Sequence, residues 1–92
     1  MPDSGLNKKF YVIDIAANET NIEVPISSAV QIENTGTAGV VTVYNNPASD
    51  TSRHSFEMAV GSSPQLFSGG FPIAKMYIST DADATCRVIY WM

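Results

Sequence analysis

Apolar residues in this chain recur at every second position, in short runs, and no stretch of 11 or more residues carries a helical stripe. That pattern confines the chain to strands. The dominant residues of the runs are Val, Ile, Thr, Tyr and Phe, which suit a pleated, half-buried surface. Between the runs stand Gly, Pro, Asn, Asp and Ser, the residues that turn a chain.

The first run is Lys9 to Ala16, with Tyr11, Ile13 and Ile15 in step as a buried face. Asn21 to Ile26 follows, and Pro25 inside it points to an edge or a bend. In Ala29 to Asn34, Val30 and Ile32 point inward while Gln31 and Glu33 point outward. Thr35-Gly36-Thr37-Ala38-Gly39 has the chemistry of a turn joining two antiparallel strands, and Val40 to Tyr44 comes next. Asn45 to Ser52 is the most loop-like stretch. His54 to Val60 places Phe56, Met58 and Val60 on one face. Gln65 to Ser68 reads as a short strand. Pro72 to Thr80 sets Met76 and Ile78 against Lys75 and Tyr77. Asp81-Ala82-Asp83 makes a tight turn. The closing run, Ala84 to Met92, alternates Cys86, Val88 and Tyr90 with Arg87, Ile89 and Trp91.

The expectation is an all-β chain: an antiparallel β-sandwich, jelly-roll-like or immunoglobulin-like, of seven or eight short strands. Its 92 residues form a single domain, 1–92, with 1–8 as an N-terminal arm. A hydrophobic content of 45% suffices for a core and is too high for a disordered chain.

Composition removes several function classes. The 5 basic residues, Lys8, Lys9, Arg53, Lys75 and Arg87, are scattered among 9 acidic ones, for a net charge of −4. Nucleic-acid binding needs a basic stripe along the phosphates, so no nucleic-acid partner is expected. The first residues lack the apolar segment of a signal peptide, and no run approaches the roughly 20 apolar residues that cross a bilayer. No membrane partner is expected, and the Asn18-Glu19-Thr20 sequon reads as accidental. The single Cys86 excludes a disulfide framework, and its alternating apolar run marks it as a small buried hydrophobe.

Catalytic residues are sparse. His54 is the sole histidine, and Asp50, Ser52 and Ser55 stand too close to it in sequence to imply a triad. One His and one Cys do not make a zinc site. Asp81-Ala82-Asp83 lacks the glycine and closing glutamate of a calcium loop. No enzyme activity, metal or cofactor is expected. Trp91, Tyr77, Tyr44 and Phe71 are candidate stacking platforms for a sugar or a single strand, and core or interface filling explains them equally well.

One feature points to a partner. Ile89 and Trp91 fall on the side of the closing strand opposite its core set, and Tyr77 does so on the strand before it. A solvated outer face would be polar there. An apolar one implies either a covering neighbour or burial on both faces within one fold. With the arm from Leu6 to Phe10, these residues give the expected protein-contact set: Leu6, Phe10, Tyr77, Ile89 and Trp91.

The succession Ala29-Val30-Gln31-Ile32, Thr35-Gly36-Thr37-Ala38-Gly39, Val41-Thr42-Val43, Phe56-Glu57-Met58-Ala59-Val60-Gly61, Phe71-Pro72-Ile73-Ala74-Lys75-Met76-Tyr77-Ile78 and Ala84-Thr85-Cys86-Arg87-Val88-Ile89-Tyr90-Trp91 resembles small β-sandwich virion proteins. These are the head-spike, fibre-base and capsid-decoration modules of tailed bacteriophages and gene transfer agents. The likeness spans residues 29 to 91, and the Asn45 to Arg53 loop and the Lys8 to Ile26 lead-in depart from it. It implies a non-enzymatic virion protein, made in the host cytoplasm. Such a protein would cap or cement a particle as a homo-oligomer, with a trimer as one option, against a major capsid or tail protein. A carbohydrate-binding β-sandwich is the alternative.

Overall fold

The computed structural model describes residues 9–69 and 72–92. Among them are eight strands: β1 (Phe10–Ile15), β2 (Ile22–Val24), β3 (Ala29–Asn34), β4 (Val40–Tyr44), β5 (Ser55–Ala59), β6 (Gln65–Phe67), β7 (Met76–Thr80) and β8 (Cys86–Trp91). They form two four-stranded antiparallel sheets, ordered β1-β8-β3-β6 and β2-β7-β4-β5. Among the described residues no helix is long and apolar enough to cross a membrane.

The pairings decide between the two expected topologies. Strand β1 pairs β8, β2 pairs β7, β3 pairs β6 and β4 pairs β5. The chain is therefore one long antiparallel ribbon, folded at the β4–β5 loop and rolled up. The roll is closed by β3 against β8 and β4 against β7. This is a jelly roll. An immunoglobulin sandwich keeps its first two strands in one sheet, whereas β1 and β2 here lie in different sheets.

The core follows the period-two pattern. Ile15, Val30, Ile32, Cys86 and Val88 line the inner face of the first sheet, and Val24, Val41, Val43, Met58, Met76 and Ile78 that of the second. A fully buried Val or Ile stabilises by roughly 1.5–3 kcal/mol, and Val24, Val30, Ile32, Val41, Ile78 and Val88 are all fully buried. Phe56 and Phe67, with ring centroids 5.9 Å apart, bridge the edge strands β5 and β6 and close that side of the roll.

Several local readings change. The Thr35 to Gly39 turn does not make a hairpin. It carries the chain from β3 in one sheet to β4 in the other, because Gly36 and Gly39 pack on the β7–β8 connection rather than bringing two strands side by side. The run beginning at Pro72 becomes a strand only at Met76, since the chain first makes an isolated bridge from Ile73 to Ser27. Strand β2 ends at Val24, before Pro25, and Ile26 is exposed. The arm 1–8 lies outside the described residues.

Polar groups tie one end of the roll together. The Asp81 carboxylate accepts the Val40 amide at 2.9 Å, and its backbone carbonyl accepts the Asn18 amide at 3.0 Å. Thr80 Oγ1 donates to the Ala16 carbonyl at 2.6 Å and accepts the Glu19 amide at 3.0 Å. These bonds lock the β1–β2, β3–β4 and β7–β8 connections to one another, so the polar groups they bury are satisfied.

Candidate interaction surface

The outer face of the β1-β8-β3-β6 sheet is read off its register. Trp91 lies between Phe10 and Ala29. In the next outward row, Val12, Ile89, Gln31 and Leu66 stand side by side. The third row is Asp14, Arg87 and Glu33. An apolar row and a second row interrupted only by Gln31 thus run beside one charged row on the same face. Phe10 is 64% exposed, Leu66 61% and Val12 47%. Ile89 and Trp91, in mid-sheet, are half-buried by their neighbours. Contiguous apolar exposure of this kind marks an interaction surface more than scattered single residues do.

Two members of the charged row pair with each other. Arg87 Nε donates to Asp14 Oδ1 at 2.9 Å across β8 and β1. That bond, together with the attraction of Asp14, holds the Arg87 guanidinium above its ordinary value. The pair bounds the apolar rows and leaves them free of charge.

The expected contact residues separate. Phe10, Ile89 and Trp91 share one face. Tyr77 does not join them: it lies on the outer face of the other sheet, between Glu23 and Tyr44. That second face is polar. Lys75 Nζ meets Glu23 Oε2 at 2.7 Å, a contact that raises the lysine. The Arg53 guanidinium carbon sits 3.5 Å from the Tyr44 ring centroid and its Nη1 donates to Asn21 Oδ1 at 2.9 Å. Both β7 and β8 alternate outward apolar residues, but they belong to opposite layers, so one surface becomes two. Leu6 lies outside the described residues, as does Phe71 of the stacking candidates.

Val12 and Leu66 belong to the surface and lie outside the expected contact set. Val12 is out of phase with Tyr11, Ile13 and Ile15, and an apolar residue in the polar phase of a strand is the signal that marks it. Leu66 stands alone in a three-residue strand, and only its pairing with Gln31 brings it to the patch.

The residues considered for chemistry do other work. Asp50 Oδ1 accepts from the Ser52 hydroxyl at 2.8 Å and the Ser52 amide at 3.0 Å, which holds its carboxyl below the ordinary aspartate value and closes an Asx turn in the β4–β5 loop. The His54 amide donates to Asn45 Oδ1 at 2.8 Å, and the Asn45 amide to the His54 carbonyl at 3.1 Å, pinning the base of that loop. His54 and Ser55 do border a cavity of about 250 Å³ between the sheets, which Val43, Phe56, Phe67 and Met76 make apolar. No carboxylate is among its described lining residues. Among the described residues no group of three or more His, Cys, Asp or Glu is placed to hold a metal. Cys86 is buried, and burial pushes its thiol up to about 11, the reverse of what a nucleophile needs.

Set beside models of known families, curated proteins and solved structures, the chain matches none of them.

Proposed function

We propose that this chain is a non-enzymatic structural module of a virion. It would use the outer face of its β1-β8-β3-β6 sheet to seat on a major capsid or tail protein and so cement or cap the particle. The observation that carries this reading is the largely apolar pair of rows around Trp91 and Ile89, broken only by Gln31 and bordered by the Asp14–Arg87 pair. A surface of this make-up favours burial against a partner by the hydrophobic effect, with the charged rim setting orientation. The jelly-roll winding suits the role, since viral capsid domains use it, although lectins do so as well. The likeness of residues 29–91 to phage and gene-transfer-agent modules supplies the partner class.

The test is a density gradient of particles from cells producing the chain. The chain should band with the particles at a fixed ratio to the shell protein, and Ile89→Lys should leave it at the top of the gradient with unchanged β-sheet circular dichroism. A wild-type chain absent from the particle band would overturn the reading.

A carbohydrate-binding module is the second reading, favoured by one observation: Phe10 and Trp91 are cross-strand neighbours on an exposed face. Of the residues around them, Val12, Ile89, Ala29 and Leu66 offer a sugar no hydroxyl partners from their side chains, and Gln31 alone in those rows supplies an amide. Binding on a glycan array that is lost in Trp91→Ala would establish it.

A further inference from the structure

Strand β1 is the end strand of its sheet, paired on one side by β8. The Met92 amide donates to the Lys9 carbonyl at 3.1 Å. In an antiparallel ladder the direction of the backbone groups alternates. Tyr11 and Ile13 therefore bond β8 as Lys9 does, and the N–H and C=O groups of Phe10, Val12 and Asp14 point away from it, along the outer edge. Among the described residues no strand pairs that edge. Phe10, Tyr11 and Val12 beside it are 64%, 41% and 47% exposed. A long apolar edge of this kind is a template for another strand, and proteins usually blunt it with Pro, Lys or a bulge. None of these interrupts Phe10–Ile15.

The other edges are protected. Strands β2 and β6 are three residues long, with Pro25 just after the first and Pro64 just before the second. Strand β5 has Glu57 at its centre, and an antiparallel partner identical to it would set that carboxylate against itself.

Strand β1 is complementary to itself in one register. With Tyr11 opposite Tyr11 of a second copy, Phe10 faces Val12 of that copy. The outer rows then join as Trp91, Phe10, Val12, Ile89, apolar throughout. The inner row joins as Tyr90, Tyr11, Tyr11, Tyr90, extending a stack that already exists, with the Tyr11 and Tyr90 centroids 5.3 Å apart. Phe10 and Val12, whose polar groups face the edge, become the hydrogen-bonded pairs. A register shifted by one residue on each copy would set Phe10 against Asp14 and its Arg87 partner.

We propose that two copies of this chain join edge to edge through antiparallel β1 strands, with Tyr11 on the two-fold axis, to make one continuous eight-stranded sheet. The inference deepens the reading of the chain as an assembly subunit and rests on it. It replaces a trimer by a dimer, and it doubles the width of the apolar platform.

Two experiments on the purified full chain test it without particles. Sedimentation equilibrium should give twice the chain mass. Val12→Pro removes an amide that points to the edge and none that bonds β8, so it should raise the dimer dissociation constant at least tenfold while keeping the circular dichroism of the wild type. Mild oxidation of Tyr11→Cys should link most chains in pairs, because facing residues at a non-hydrogen-bonded position are about 4.5 Å apart at Cα, within disulfide reach. Asp14→Cys, far from the axis, should not link. A wild-type monomer, a trimer, or Asp14→Cys linking as well as Tyr11→Cys would overturn the edge pairing. Should Val12→Pro fail to fold, the cysteine pair decides alone. A monomer that still bands with particles sinks only the pairing, and a dimer that does not band sinks only the virion reading.

Discussion

Asn34 Nδ2 donates to the Met58 carbonyl at 2.9 Å, joining the end of β3 in one sheet to β5 in the other. Its Oδ1 accepts the Gly36 amide at 2.9 Å, so one buried side chain serves both layers and the first bend of the connection between them.

Asn34→Leu should therefore destabilise the fold despite adding apolar volume. It leaves the Gly36 amide without its acceptor and takes from the Met58 carbonyl its donor in the other sheet, and an orphaned buried group costs about 1–3 kcal/mol. Chemical denaturation should show a lowered midpoint with an unchanged slope. A midpoint equal to that of the wild type would mean that water replaces the amide.

Gly39 and Gly61 offer a matched comparison. Both have positive φ, +86° and +80°. A Cβ at Gly61 would meet nothing within 4 Å, whereas at Gly39 it would collide with the Asp81 carboxylate and lie 2.9 Å from the Ala84 amide nitrogen. Gly61→Ala should cost only the left-handed backbone penalty, about 1–2 kcal/mol. Gly39→Ala should cost more, because Asp81 must also release Val40. Equal melting temperatures for the two variants would contradict this account.

Cys86 makes stability depend on alkaline pH. Burial raises its folded thiol to about 11, from an ordinary value of 9.0. Below pH 9 the thiol is protonated in both states and its contribution is fully present. As pH rises from 9 to 11 the unfolded chain gives up the proton while the folded chain keeps it, so stability falls. The loss is at most roughly 3 kcal/mol, at 1.36 kcal/mol per pK unit. Denaturation midpoints at pH 8 and pH 10.5 should fall further for the wild type than for Cys86→Ala, which lacks the titration. Parallel falls would remove Cys86 as the cause.

Ile32 and Leu66 lie on adjacent strands but on opposite sides of the sheet. Ile32 is fully buried and Leu66 is 61% exposed. Ile32→Ala should cost about 2–5 kcal/mol, and Leu66→Ala within about 0.5 kcal/mol. Thermal unfolding of the two variants checks the assignment of inner and outer faces directly.

Period-two alternation was enough to place Val30, Ile32, Val88 and Ile78 inside, because one buried face per strand leaves no other phase. It could not tell which strands share a sheet. Gly36 and Gly39 permit a tight bend, yet turn chemistry is local and says nothing about the layer into which the bend leads. For the same reason Tyr77 and Trp91 looked like one surface: each is outward on its own strand, and only the assignment of β7 and β8 to opposite sheets separates them. Val12 escapes a reading that gives the run around it a single apolar face. Tyr11 keeps the inner phase but is 41% exposed, since an end strand has a neighbour on one side alone.

The pairing of β1 with β8 also sets a timetable for biosynthesis. The ribosome adds about 5–20 residues per second, so β1 emerges several seconds before the strand that will receive it. Throughout that interval Phe10, Tyr11 and Val12 have no native neighbour in their sheet, and encounters between nascent chains compete with closure of the roll. Closure of the β1-β8-β3-β6 sheet then waits for β8, and its yield in the cell should fall as the crowd of unfinished copies grows.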